Sequence, residues 1–325
     1  MSLPVTVYRW DDAGAPGIPN GTPSEIINVL KKCLVEGYGA KQPLGWSVAF
    51  EDAPTNQIIF KNDISQGGSG GVVKFFDATG NDPVSGLVSY QSAQACSGIN
   101  DLFNVGAQRV TRAVKNNHDA WVLIGTARGF YFTICKSASK MDAGTEINPT
   151  LFAGDIDSII DSDAAVFVAG DEKPDDATSV NYSRTGFEAA GYSLNTSGFV
   201  MYDCDGHITN TQYYFNSAFL NGYSAINAPA GDVVPSMLSK VILSTSSSGP
   251  GADLGVDRFG VSRVESQVQP SLRGFIPGLF TSSNRAFLDE AWPVIREYDG
   301  KNYWLIRGTR RTGCWIWINV DQWYA

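Results

Sequence analysis

An α+β fold is expected, mostly antiparallel β, with two or so short helices in the N-terminal part and a loop-rich β C-terminal part. Three observations predict it. Apolar residues recur with period two in a succession of short segments between residues 46 and 134. One segment, residues 22–37, carries helical periodicity with start and stop signals at both ends. The chain holds 34 glycines and 15 prolines in 325 residues, with 12% aromatics and only 18% charged residues, the composition of many turns joining well-filled strands.

The elements follow in order. Val5 to Trp10 alternates and is rich in β-branched and aromatic residues, which makes it a strand, and Asp11 to Gly21 is crowded with turn formers. Thr22 then suits the N-cap, Pro23 the first helical position, and Glu25 the reciprocal partner of a capping box. Ile26, Ile27, Leu30, Cys33 and Leu34 line one helical face, and Gly37 provides the stop. Trp46–Phe50, Gln57–Lys61, Val72–Phe76 and Gly86–Tyr90 read as strands, with the flexible run Gly67–Gly71 between the second and third. Asn100 to Lys115 has helical spacing in Leu102, Phe103, Val105, Val110 and Val114, so a second helix is expected there, although Gly106 weakens it. Trp121–Gly125 and Phe130–Ile134 form a hairpin around Arg128-Gly129.

Beyond about Lys140 the composition shifts. Residues 171–266 are loaded with Ser, Gly, Asn, Asp and Thr, and only Gly198–Tyr202 stands out as a strand. The C-terminal end regains definition in Asn302–Arg307 and Cys314–Val320. Both faces of the last strand are largely apolar, so it is either central or covered by a partner. The organisation expected is a core domain over 1–145 and a β-rich domain over 146–325, with a loop-rich insertion around 171–266 and C-terminal strands returning to the core.

Function classes are bounded by charge and by residue scarcity. Asp and Glu number 33 against 24 Lys and Arg, a net of −9, which argues against direct sequence-specific nucleic-acid binding. No 18-residue apolar run occurs, so no membrane span is expected, and Met1–Pro4 has no signal-peptide character. Five widely spaced cysteines without a CxxC read as free thiols. Only His118 and His207 offer an imidazole. Gly67–Gly71 formally matches G-x-S-x-G, but it lies between two strands, where a nucleophile elbow needs a following helix. Asp203-Cys204-Asp205-Gly206-His207 reads as an Asp-Gly turn rather than a metal site. Asp155, Asp157, Asp161 and Asp163 fail the calcium-loop spacing and read as helix-capping or solvated carboxylates. Arg307, Arg310 and Arg311 form a small basic spot in a turn. There is no Walker motif and no dinucleotide fingerprint. The sequence therefore assigns no catalytic residue, no cofactor and no metal ligand.

Two blocks carry a family likeness. Gly21 to Gly39, running on through Lys41 to Gly45-Trp46, resembles a block of tailed-bacteriophage virion structural proteins: a helix followed by GYG…K…GW. Arg273-Gly274-Phe275-Ile276-Pro277-Gly278-Leu279 resembles a second block of the same family, and Trp121–Ile134 is similar to its central hairpin. The resemblance implies a non-enzymatic virion component at the neck, collar or tail, made in the bacterial host cytoplasm. Its partners would be copies of itself in a cyclic oligomer and other phage structural proteins. The low charge and the aromatic strands at both chain ends fit surfaces that neighbouring subunits cover. Two competing readings are a receptor-binding tail module gripping a host saccharide through residues 171–266, and a depolymerase using paired carboxylates.

Overall fold

The computed structural model describes residues 2–138, 150–170, 198–207, 211–217, 238–244, 270–282, 287, 289–306 and 315–324. Its strands pair antiparallel throughout, in three large sheets and one small one.

The middle sheet has five strands in the order Phe167–Ala169, Thr150–Asp155, Gly129–Cys135, Ala120–Gly125, Thr6–Arg9. Every residue of its three inner strands is buried. Alternate side chains of this sheet therefore enter two different cores. Ala120, Val122, Ile124, Tyr131 and Phe152 join one. Trp121, Leu123, Phe130, Phe132, Ile134 and Leu151 join the other. The uninterrupted apolar runs Ala-Trp-Val-Leu-Ile-Gly and Gly-Phe-Tyr-Phe-Thr-Ile-Cys are what a strand covered on both faces requires.

The second of those cores is closed by the helix and by a six-stranded sheet. The helix, Pro23–Lys31, forms as its punctuation predicts. The Thr22 hydroxyl accepts from the Glu25 amide at 3.3 Å, and the Thr22 amide donates back to the Glu25 carboxylate at 3.3 Å. Its last turn widens to π geometry over Lys32–Glu36 and stops at Gly37, whose φ is +78°. The six-stranded sheet runs Ser47–Asp52, Gln57–Lys61, Val72–Asp77, Val88–Gly98, Asp101–Val105, with Arg109–Thr111 also pairing to the start of Val88–Gly98. Ile58, Phe60, Val73, Phe75, Val88 and Tyr90 face inward from it.

The second expected helix is absent. Residues 100–115 instead contribute the strands Asp101–Val105 and Arg109–Thr111. Asn104 takes φ +53°, and Gly106 packs against Ser92 where a continuing helix could not. Val105, Val110 and Thr111 are β-branched, and pairing with Val88–Gly98 satisfies their backbone. Among the described residues Pro23–Lys31 is the one α-helix.

The first core is closed by an eight-stranded sheet built mostly from the C-terminal half: Gly198–Met201, Thr211–Asn216, Ser239–Ser244, Leu272–Ser282, Trp315–Asn319, Lys301–Ile306 and Val294–Tyr298, with Asp157–Ser158 beside Leu272–Ser282. The apolar strand Trp315–Asn319 is central, between Leu272–Ser282 and Lys301–Ile306. Its Trp317 packs edge-on against Phe287 and Tyr298, and its indole N–H donates to Ser282 Oγ at 2.9 Å. Ile316 and Ile318 are buried on the opposite face. The chain covers these side chains itself, so they do not call for a partner. Leu3–Pro4 pairs with Gln322–Trp323 and ties the two ends together. The sheets also run across the division expected at residue 145, because Gly129–Cys135 pairs with Thr150–Asp155.

The double burial of the middle sheet has a direct consequence. Leu123→Ala and Ile124→Ala, adjacent residues serving opposite cores, should each cost about 2–5 kcal/mol. Val105→Ala on an exposed edge should change stability by less than about 0.5 kcal/mol. Urea denaturation of the three variants checks this.

Candidate functional site

The residues singled out in the sequence separate into isolated structural roles and one convergence. His118 is buried, and its Nδ1 accepts from the Val114 amide at 3.0 Å, an arrangement that closes a local turn. His207 is 83% exposed at the end of the turn Asp203–His207, beside Asp205 at 3.2 Å. That turn closes with the Gly206 amide donating to the Asp203 carbonyl at 2.9 Å and follows the strand Gly198–Met201, as expected. Cys33, Cys96, Cys135 and Cys204 are not joined in disulfides. Among the described residues no three His, Cys, Asp or Glu side chains gather as a metal set, and no helix is long and apolar enough to cross a membrane. Arg307, Arg310, Arg311 and Cys314 lie outside the described residues, as does most of 171–266.

The acidic run behaves differently from expectation: two of its members are buried arginine partners. Asp163 receives a two-pronged contact from Arg273, Nε to Oδ2 at 2.6 Å and the terminal nitrogen to Oδ1 at 2.7 Å, with both side chains shielded from solvent. The guanidinium also reaches the Tyr213 hydroxyl at 3.4 Å and lies 5.3 Å from that ring. Asp155 is fully buried at a junction of four segments. Its carboxylate accepts from the Ser69 hydroxyl at 2.5 Å, the Ser69 amide at 2.9 Å and Arg128 Nε at 3.4 Å. The backbone of the same residue accepts from the Tyr324 hydroxyl at 2.8 Å, and Arg128 lies 3.9 Å over the Tyr324 ring. Ser69 of the G-x-S-x-G run is thus a clamp on a carboxylate, and the run is a loop between two strands.

The two blocks of family likeness are also positioning devices. Tyr38 donates to Asp12 Oδ2 at 2.8 Å, Lys41 to the Val7 carbonyl at 2.9 Å, and the Trp46 indole to the Thr126 carbonyl at 3.0 Å. Together they fasten the stretch after the helix to the middle sheet. The second block forms an irregularity in Leu272–Ser282. Lys240 pairs with Phe280 and Ile242 with Phe275, so residues 276–279 form a bulge opposite Val241. Pro277 brings no N–H to the ladder, and its carbonyl accepts from Tyr131 at 2.7 Å. Gly278 has φ +68°, and the Trp323 indole occupies the place of its missing Cβ.

That bulge leaves a half-open cavity of about 70 Å³. Its floor is apolar, made by Ile276, Leu279 and Trp323, and exposed Lys240 and Lys301 stand on its wall with Asp157. Lys240 extends over the Phe275 ring at 5.1 Å. Burial raises the Asp157 pKa, against the opposing pull of Lys240 and Arg128. Two ammonium groups and one carboxylate thus stand at the edge of an apolar floor. Sequence reasoning missed Lys240 and Lys301. The signal for the cavity was the Pro277-Gly278 pair inside a strand, which marks a bulge.

No family model and no curated protein matches the chain.

Two expectations test the buried charges. Arg273→Met strands Asp163 and should cost about 3–5 kcal/mol, and the double variant Arg273→Met/Asp163→Leu should recover much of that in urea unfolding. Burial, partly offset by Ser69 and Arg128, raises the Asp155 pKa above its ordinary value, so the folded state holds a proton that the unfolded chain has released. This contribution is full below the unfolded carboxylate pKa of about 4 and is lost as pH rises through the folded value. Asp155→Asn should flatten that decline in denaturation midpoints measured across mildly acidic pH.

Proposed function

We propose that the chain is a non-enzymatic structural component of a tailed-bacteriophage virion, at the neck, collar or tail, acting through contacts between subunits. The reading rests on the two sequence blocks that resemble that family. The observation that carries it in the fold is the edge hairpin formed by the end of Val88–Gly98 with Asp101–Val105. Its inner side packs Cys96, Ile99 and Leu102 against Ile59 and Val72, while Phe103 is 52% exposed and Val105 37%. A chain that buries Trp46, Trp121, Trp292, Trp304, Trp317 and Trp323, yet leaves a ring and a branched side chain on an edge strand, has a ready surface for pairing. The location would be the virion, after synthesis in the host cytoplasm.

Purified particles of the phage that encodes the chain check the proposal by mass spectrometry and by gold-antibody electron microscopy. The expected result is the chain in fixed multiple copies at the neck or tail. Its absence from mature particles, with the free protein monomeric in sedimentation at micromolar concentration, would overturn it.

A further inference from the structure

We infer that the edge hairpin of one copy docks over the lysine-flanked cavity of a second copy, Phe103 covering its apolar opening and Asp101 meeting Lys240 and Lys301. The inference rests on the reading of subunit contacts above and specifies which surfaces make them.

Three features carry it. The first is chemical match. Asp101 and Phe103 share one face of the strand, since alternate residues do, and both are exposed, while Asn104 donates to the Gly206 carbonyl at 3.0 Å. The strand thus presents a carboxylate two residues from a ring. The cavity presents an apolar floor of Ile276, Leu279 and Trp323 beside two exposed ammonium groups, which outnumber the single half-buried carboxylate of Asp157. The second is charge. With a net of −9, one copy repels another over most of its surface, so a lysine pair beside an apolar opening is a favoured landing point for an acidic edge. The third is placement. The hairpin belongs to the six-stranded sheet and the cavity to the eight-stranded sheet, and these cover opposite faces of the middle sheet. The two are different surfaces of the chain, so a contact that joins them between copies is head-to-tail. A head-to-tail contact closes into a ring when its rotation permits.

The test is a charge swap on the full chain by sedimentation velocity at low salt. Asp101→Lys alone and Lys240→Glu/Lys301→Glu alone should each weaken self-association by about tenfold or more, and raising the salt concentration should weaken the wild type similarly. An equimolar mixture of the two variants should recover association, because each supplies the surface the other has reversed. Phe103→Asp should abolish association in either background. All four side chains are exposed, so thermal melts should match the wild type. Undiminished association of the single-side variants, or a mixture that fails to recover, overturns the docking. A variant Lys240→Glu/Lys301→Glu that enters particles normally also overturns it, while leaving the virion reading standing. Absence of the wild type from particles counts against the virion reading alone, since the charge-swap result is read on the isolated protein.

Discussion

The middle sheet is the constraint on which the rest of the molecule depends. Its hairpin Ala120–Gly125 and Gly129–Cys135 is buried on both faces, so the two strands admit no charged side chain and must find all backbone partners within the sheet. That requirement fixes what surrounds it. One face needs the helix and the inner side of the six-stranded sheet, and the other needs the eight-stranded sheet. The aromatic content, high for a chain so poor in charge, follows from filling two cores at once. Tyr131 shows the coupling: it packs edge-on against Trp323 at 5.3 Å and donates to the Pro277 carbonyl, so one residue of the middle sheet sets the position of the bulge and of the C-terminal strand.

The buried ions serve a different purpose from the cores. Asp155 and Asp163 each sit where distant segments meet, and neither has solvent to hydrate it. Replacing such pairs with apolar groups is often neutral for stability, so their value lies in register. Asp155 will accept only one placement of the glycine-rich loop, because both the amide and the hydroxyl of Ser69 must reach it. Arg273 likewise fixes Leu272–Ser282 against the Asp157–Ser158 strand, where Ser158 Oγ donates to Asp163 at 2.7 Å.

Much of the fold was legible because local and tertiary preferences agree. The capping box at Thr22 and Glu25, the strands Gln57–Lys61 and Val72–Asp77, and the central hairpin all carry patterns that the tertiary structure reinforces. Residues 100–115 misled because their apolar spacing fits a helix, while the deciding factors were a left-handed Asn104 and a partner strand ending at Gly98, itself polar and hard to recognise. The acidic run misled for the opposite reason: Asp163 finds its arginine 110 residues away, a distance that no local spacing reveals. The cavity was the least legible feature, since it is assembled from residues between 157 and 324.

The pairing of Leu3 with Trp323 places backbone near one end of the sequence about 5 Å from backbone near the other. Residues more than three hundred positions apart in sequence thus seal one seam. The exposed turn Asp299-Gly300 lies apart from that seam, so the backbone could be opened there without severing either core.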